Sequence, residues 1–335
     1  MIKRIFMALV MLLLTFGAAT WWLWQDMQRT LQQPVNLSKP FVYSIEPGMS
    51  LRAVSEDLAA NGILDNPYYL NFAGRRQGIA HKLKTGEYEI IPGTTALQLL
   101  EQFVAGKVVQ YTLTLLEGWT FEQIMEAVMN SDRLVHTLPP AIGSQQLMLS
   151  IGYPDIVAEG QFFPDTYHFP VGTTDLEFLR RAFHLLSRVL DEEWQRRAAN
   201  LPYKTPYDAL IMASIIEKET GRTDEREKIA GVFVRRLRQG MKLQTDPTVI
   251  YAMGARYNGN IKHKDLEIDS PYNTYRNRGL PPTPIALAGR GSINAALHPE
   301  DGKALYFVSR GDGSHYFSST LNEHNKAVAK YQLEK

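Results

Sequence analysis

The chain has no cysteine in its 335 residues, so no disulfide, thiol nucleophile or thiolate metal site can belong to it. An excess of charge of either sign is also missing. Its 36 basic residues nearly balance 35 acidic ones, for a net charge of +1, and this gives no electrostatic case for nucleic acid as a partner. The eight histidines are scattered, without His-Glu-x-x-His or comparable ligand spacing, so neither a metal nor another cofactor is expected. His315 and His324 flank a turn region and make no ligand pattern by themselves. No serine lies in Gly-x-Ser-x-Gly. Gly289-Arg-Gly291-Ser292 lacks both the setting of a nucleophile elbow and the third glycine of a dinucleotide loop. Arg310-Gly311-Asp312 is hairpin-turn chemistry rather than an adhesion signal.

One long uncharged run is present, from Ile5 to Trp24. As a helix, ~20 residues at ~1.5 Å each span about 30 Å, one bilayer core. Lys3 and Arg4 precede it and Trp21, Trp22 and Trp24 close it, which predicts a single pass with the N-terminus inside and the remainder outside. The competing reading is a signal peptide cut after Gly17-Ala18-Ala19. That cut would strand the three tryptophans on a soluble N-terminus, and either reading exports the rest. Residues 1–4 are then a cytoplasmic tail, 5–24 a transmembrane anchor and 25–40 a polar linker without a period.

The folded part begins with a recurring pattern: Tyr43-Ser-Ile-Glu-Pro-Gly48-Met-Ser50, Tyr88-Glu-Ile-Ile-Pro-Gly93-Thr-Thr95 and Leu113-Thr-Leu-Leu-Glu-Gly118-Trp-Thr120. Each reads as a short strand, a glycine turn and a hydroxyl residue capping a helix. Thr95 with Gln98, and Thr120 with Gln123, fit the reciprocal capping box. Units so small cannot each bury a core, so they are expected to pack as one α+β module. Farther on, apolar spacing predicts helices over about 175–197, 206–219, 224–239 and 292–297, and a hairpin with arms 304–309 and 315–318.

The chemically informative segment is Asp208 to Thr220. Glu217 follows Ser214, Ala213 and Leu210 by three, four and seven positions, which places its carboxyl on an apolar helix face. Desolvation there favours the protonated acid, the state that can protonate a leaving oxygen in glycosidic cleavage. Glu219 points about 200° away from it, at 100° per helical residue. Gln244-Thr245-Asp246, Tyr272-Asn273-Thr274-Tyr275 and Leu280-Pro281-Pro282 gather amides, hydroxyls and aromatic rings on loops fixed by prolines, a mixture that suits sugars.

Ala213-Ser-Ile-Ile-Glu217-Lys-Glu-Thr220, Leu243-Gln-Thr-Asp-Pro-Thr-Val-Ile-Tyr251, Tyr272-Asn-Thr-Tyr275 with Gly279-Leu-Pro-Pro282, and Glu159-Gly-x-Phe-Phe-Pro-Asp-Thr-Tyr167 closely resemble the YceG-like (MltG-type) endolytic murein transglycosylases. The resemblance runs over nearly the whole chain. It implies a lyase that cuts the β-1,4 bond between N-acetylmuramic acid and N-acetylglucosamine inside nascent peptidoglycan strands, leaving 1,6-anhydro ends. It also implies Glu217 as the catalytic residue and a place in the bacterial inner membrane, with the catalytic part periplasmic and cell-wall synthases as partners. The fold class is then α+β: one transmembrane helix, a LysM-like glycan-binding module at 41–110 and a mixed α+β catalytic domain at 111–335. Gln244, Thr245, Asp246, Tyr272, Asn273 and Tyr275 are expected near the sugar. Ala288-Gly289 stands where the family has Pro-Gly. Two alternatives stay open: a lysozyme-like hydrolase using Asp246 or Asp269 as a second carboxylate, and a non-catalytic peptidoglycan-binding scaffold.

Overall fold

The computed structural model describes residues 2–333. The chain divides into two compact units, one running up to Tyr111 and taking in His168–Gly172, the other formed by Thr112–Tyr167 and everything from Thr173 on. The architecture is mixed α+β with an N-terminal apolar helix.

In the first unit, α1 (Ile2–Gln32) is one unbroken helix. Every residue from Ile2 to Gln25 is exposed. The expected linker at 25–40 is corrected here. Its first half continues α1, because the polar run hides Met27 and Leu31, four apart on one face and both buried in the unit's core. The remainder is fastened as well: the Val35 amide donates to the Thr94 carbonyl (2.8 Å) and that of Asn36 to the Ile63 carbonyl (3.1 Å).

Strands β1 (Phe41–Ile45) and β2 (Gly86–Ile90) pair antiparallel, with Tyr43 opposite Tyr88. Between them lie α2 (Leu51–Ala60) and α3 (Pro67–Arg76), and α4 (Ala96–Ala105) follows β2. Tyr88 is fully buried and meets Phe103 of α4 edge-on at 4.8 Å, a geometry that aligns the positive ring edge with the negative face. Gly48 and Gly93 hold φ of +85° and +93°, a region that glycine enters without steric cost. Ser50 and Thr95 then cap α2 and α4, Thr95 with the reciprocal Gln98 bond.

The third repeat forms as expected, with Gly118 at φ +76° and the Thr120–Gln123 capping box, but it does not join the first two. Its strand β3 (Tyr111–Thr114) runs into the second unit and its helix α5 (Phe121–Met129) lies there. The cause is backbone pairing. Leu115 donates to the Asp165 carbonyl (3.0 Å), Gly118 to the Leu287 carbonyl (2.9 Å), and Leu287 back to the Trp119 carbonyl (2.7 Å).

Along the chain follow α6 (Ser144–Ile151), β4 (Thr166–Phe169), whose last two residues belong to the first unit, α7 (Asp175–Gln195), α8 (Pro206–Glu219), α9 (Arg226–Arg238), α10 (Asp246–Met253) and α11 (Arg290–Leu297). A hairpin of β5 (Tyr306–Ser309) and β6 (His315–Ser318), then α12 (Leu321–Val328), complete the second unit. The core is built round α8, whose residues from Ala209 to Ile216 are all buried; a helix apolar on every side has to sit inside. It packs against α7, α9, α10 and α11. Helix α10 replaces the loop expected at Asp246-Pro247, with proline in its first turn where the missing N–H costs nothing.

Candidate active site

Glu217 leaves α8 one turn after the fully buried Ser214 and Ala213. Its carboxyl accepts from the Gly289 amide at 2.9 Å and from Arg226 Nη2 at 3.1 Å. The side chain is 5 % exposed and that of Arg226 11 %. Burial raises the acid above the ordinary range; the Gly289 amide, the Ser292 hydroxyl and the Arg226 charge oppose this, while Glu117 reinforces it. The net direction is up, so desolvation wins.

Each partner is placed by its own element. Gly289 is the N-cap of α11, and α11 is clamped to α7 by Arg290 Nη1 on Glu193 (2.6 Å) and Asn294 Nδ2 on Glu193 (2.9 Å). Ser214 fixes the approach from the other side, its hydroxyl accepting from the Ile285 amide at 3.0 Å. Arg226 opens α9. The loop before α5 brings Glu117, whose carboxylate lies 3.5 Å from the same Arg226 Nη2. A Cβ at position 289 would stand 1.8 Å from Glu117 Oε1, so a larger residue there would push the Glu117 carboxylate from its present place. Lys218 Nζ donates to the Gly118 carbonyl at 3.1 Å and ties that loop to α8.

Glu219 lies on the opposite side and accepts from the Thr245 hydroxyl at 2.6 Å. Burial pushes its pKa up to about 7, with Asp246 adding to the rise and Thr245 opposing it. Together with Gln244, Asp246, Tyr275 and Arg236 it lines a pocket of about 480 Å³. The six residues expected near sugar therefore divide. Gln244, Asp246 and Tyr275 reach this pocket; Gln244 does so with backbone at φ +53°, and Tyr275 donates to Asp246 at 2.6 Å. Thr245 is buried beneath it. Asn273 is fully buried and binds the Leu266 and Ile268 carbonyls (2.9 and 2.8 Å). Tyr272 meets the Tyr251 ring at a tilt of 57°, 4.8 Å between centroids, and shares a 2.8 Å bond with Thr283. None of the six bonds to Glu217; the groups that do, and Glu117, escaped the sequence reading. Asp269 is 96 % exposed on a salt bridge to Arg276.

Glu159 of the aromatic motif is a buried clamp, accepting from the Phe121 amide (3.0 Å) and the Tyr251 hydroxyl (3.1 Å). His315 pairs with Glu225 at 2.7 Å, and Asp312 caps the Ser314 amide at the hairpin bend (2.9 Å).

A desolvated carboxyl flanked by a cation and a second carboxylate, on the central helix of a mixed α+β domain, is an arrangement suited to acid–base chemistry. The YceG-like family model matches residues 43–330, and the chain belongs to that family. It is 33% identical over 328 residues to the endolytic murein transglycosylase of Bacillus subtilis (strain 168), covering 90% of this chain and 88% of that protein. It is 26% identical to the endolytic murein transglycosylase of Streptococcus pneumoniae (serotype 2, strain D39), covering 88% of this chain and 59% of that longer protein. The crystal structure of a YceG-like protein from Listeria monocytogenes aligns with a TM-score of 0.57 and 31% identity, covering 87% of this chain and 99% of that one.

Proposed function

We propose that the protein is a membrane-anchored endolytic lytic transglycosylase that cuts the bond between N-acetylmuramic acid and N-acetylglucosamine within nascent peptidoglycan strands. The observation that carries this reading is the desolvated Glu217, protonated more readily than an ordinary glutamate. As the acid it gives its proton to the glycosidic oxygen and the C1–O bond breaks. As carboxylate it takes the proton of the muramic C6 hydroxyl while that oxygen closes on C1, so the product is a 1,6-anhydro sugar and the proton inventory is restored. Arg226 stabilises the carboxylate between the two transfers. The pocket of Gln244, Asp246 and Tyr275 supplies the polar and aromatic surface expected for a neighbouring stretch of glycan.

Residues 41–110, within the first unit, are read as the LysM-like glycan-binding module. An open groove lined by Thr94, Gln98, Gln102 and Gln110 supports this, since amides and hydroxyls match sugar hydroxyls. The exposed apolar stretch of α1 supports a single pass through the inner membrane, with Lys3 and Arg4 cytoplasmic and both units periplasmic.

One observation favours a second reading. Glu117 shares Arg226 with Glu217, and a carboxylate pair is what a hydrolase uses. Mass spectrometry of digested glycan separates the two: anhydro ends are expected, whereas water-added reducing ends would identify a hydrolase. Glu217→Gln should cut roughly 10²–10⁴-fold more slowly, as for loss of a general acid. A folded variant that cuts at the wild-type rate would remove Glu217 from the chemistry.

A further inference from the structure

Helix α3 carries an exposed aromatic and basic edge in an unusual place. Tyr68 is 70 % and Phe72 51 % exposed, and Arg75 and Arg76 at its last turn are exposed as well. Spacings of four, seven and eight put all four on one side of the helix, away from Leu70, Ala73 and Gly74, which face the core. Two bonds fix α3 beside α1. The Tyr69 hydroxyl donates to Asp26 at 2.7 Å, and the Arg76 guanidinium lies over the Trp24 ring, 4.4 Å from its centroid. Met27 and Leu31, buried within the next two turns of α1, make the junction rigid.

If Trp24 closes the membrane span, Arg76 is held at the depth of the lipid headgroups, because the stacking distance leaves it no other height. We propose that the Tyr68–Phe72–Arg75–Arg76 edge of α3 is a membrane-docking surface, seated on anionic phospholipid of the leaflet from which α1 emerges. The inference rests on the membrane anchoring proposed above. Arginine pairs with phosphate through its planar fork, and aromatic rings settle at the interface between headgroup and acyl chain. No acidic residue lies between Asn66 and Thr85 along the chain to oppose this charge. Docking would add a second point of attachment to the rigid α1 junction and so fix the tilt of the first unit on the leaflet.

The absence of cysteine allows a direct test on the full chain. Single cysteines at Phe72→Cys or Trp22→Cys, carrying an environment-sensitive fluorophore, are read in phosphatidylglycerol–phosphatidylcholine vesicles containing a lipid with a nitroxide near the headgroup. Both labels should be quenched. Adding Arg75→Gln and Arg76→Gln should lower the docked-to-undocked ratio about 30-fold, from ~1 kcal/mol per basic side chain at an anionic surface, and restore the Phe72 signal while leaving Trp22 quenched. Quenching at Trp22 but not at Phe72 in the parent chain would overturn docking and leave the anchor standing. A Phe72 label shielded from aqueous iodide yet unquenched by lipid would mean that a protein surface covers α3, which also overturns it. No quenching at Trp22 would overturn the anchor and the docking together.

Discussion

Glu217 and Glu219 leave α8 in nearly opposite directions, and burial raises both, but only Glu217 has a cation beside it. Replacing Arg226 with Met removes the charge that favours the Glu217 carboxylate, so the alkaline limb of the pH–rate profile should move to higher pH. Arg226→Lys should return it towards the wild-type position. A profile unmoved by either change would show that the guanidinium has no electrostatic hold on the acid. Glu219 has a consequence for stability. In the unfolded chain it loses its proton near the ordinary glutamate value, whereas in the fold it keeps it up to about 7. Stability linked to this group is therefore present below about pH 4.5 and is lost as pH rises to about 7, by roughly 3 kcal/mol at ~1.4 kcal/mol per pKa unit. Thermal melts at pH 5 and pH 8 should differ less for Glu219→Gln than for the wild type. The position of Glu217 on an apolar face was legible because helical spacing alone decides it. Arg226, Glu117 and Gly289 were not. Arg226 lies in a run of charges that reads as a solvated face, and Glu117 reaches the site only through the pairing of Gly118 and Trp119 with Leu287.

At the scale of elements, α8 depends on its first turn as much as on its apolar body. Thr205 accepts from the Asp208 amide, and Asp208 accepts from those of Lys204 and Thr205 at 2.7 and 3.1 Å. Thr205→Ala should cost about 1 kcal/mol, read as a lowered midpoint in urea with an unchanged slope. Helices with a regular apolar stripe or a clear cap, α7, α8, α9 and α11, were predictable to within a few residues. Helix α3 was missed although Asn66-Pro67 is a good start signal, because the exposed Tyr68 and Phe72 break the pattern of burial. Helix α10 was missed because Asp-Pro opens turns as readily as helices. The Met27–Leu31 pair was too short a stripe to distinguish from a linker until α3 and α4 supplied a surface for it.

For the whole molecule, the fastened segment between the exposed apolar stretch of α1 and β1 sets where the chain can be shortened. A chain beginning at Gln25 keeps Met27, Leu31 and Val35 in the first core and should retain cutting of purified glycan. One beginning at Phe41 loses all three. At about 1.5–3 kcal/mol per buried side chain, its first unit should be less stable by roughly 5 kcal/mol, seen as earlier unfolding or proteolysis of that unit alone. Equal stability of the two chains would mean that residues 25–40 are a tether after all. The division of the chain has a different consequence, for order in time. Residues 168–172 complete the first unit, yet they are synthesised only after the stretch from Thr112 to Tyr167 that belongs to the second. At ~5–20 residues per second, the leading unit waits several seconds for its last strand segment while the apolar helix has already left the ribosome. With α1 as the proposed anchor, capture by the bilayer would come before the N-terminal unit is finished, and the nascent protein would complete its fold already in place.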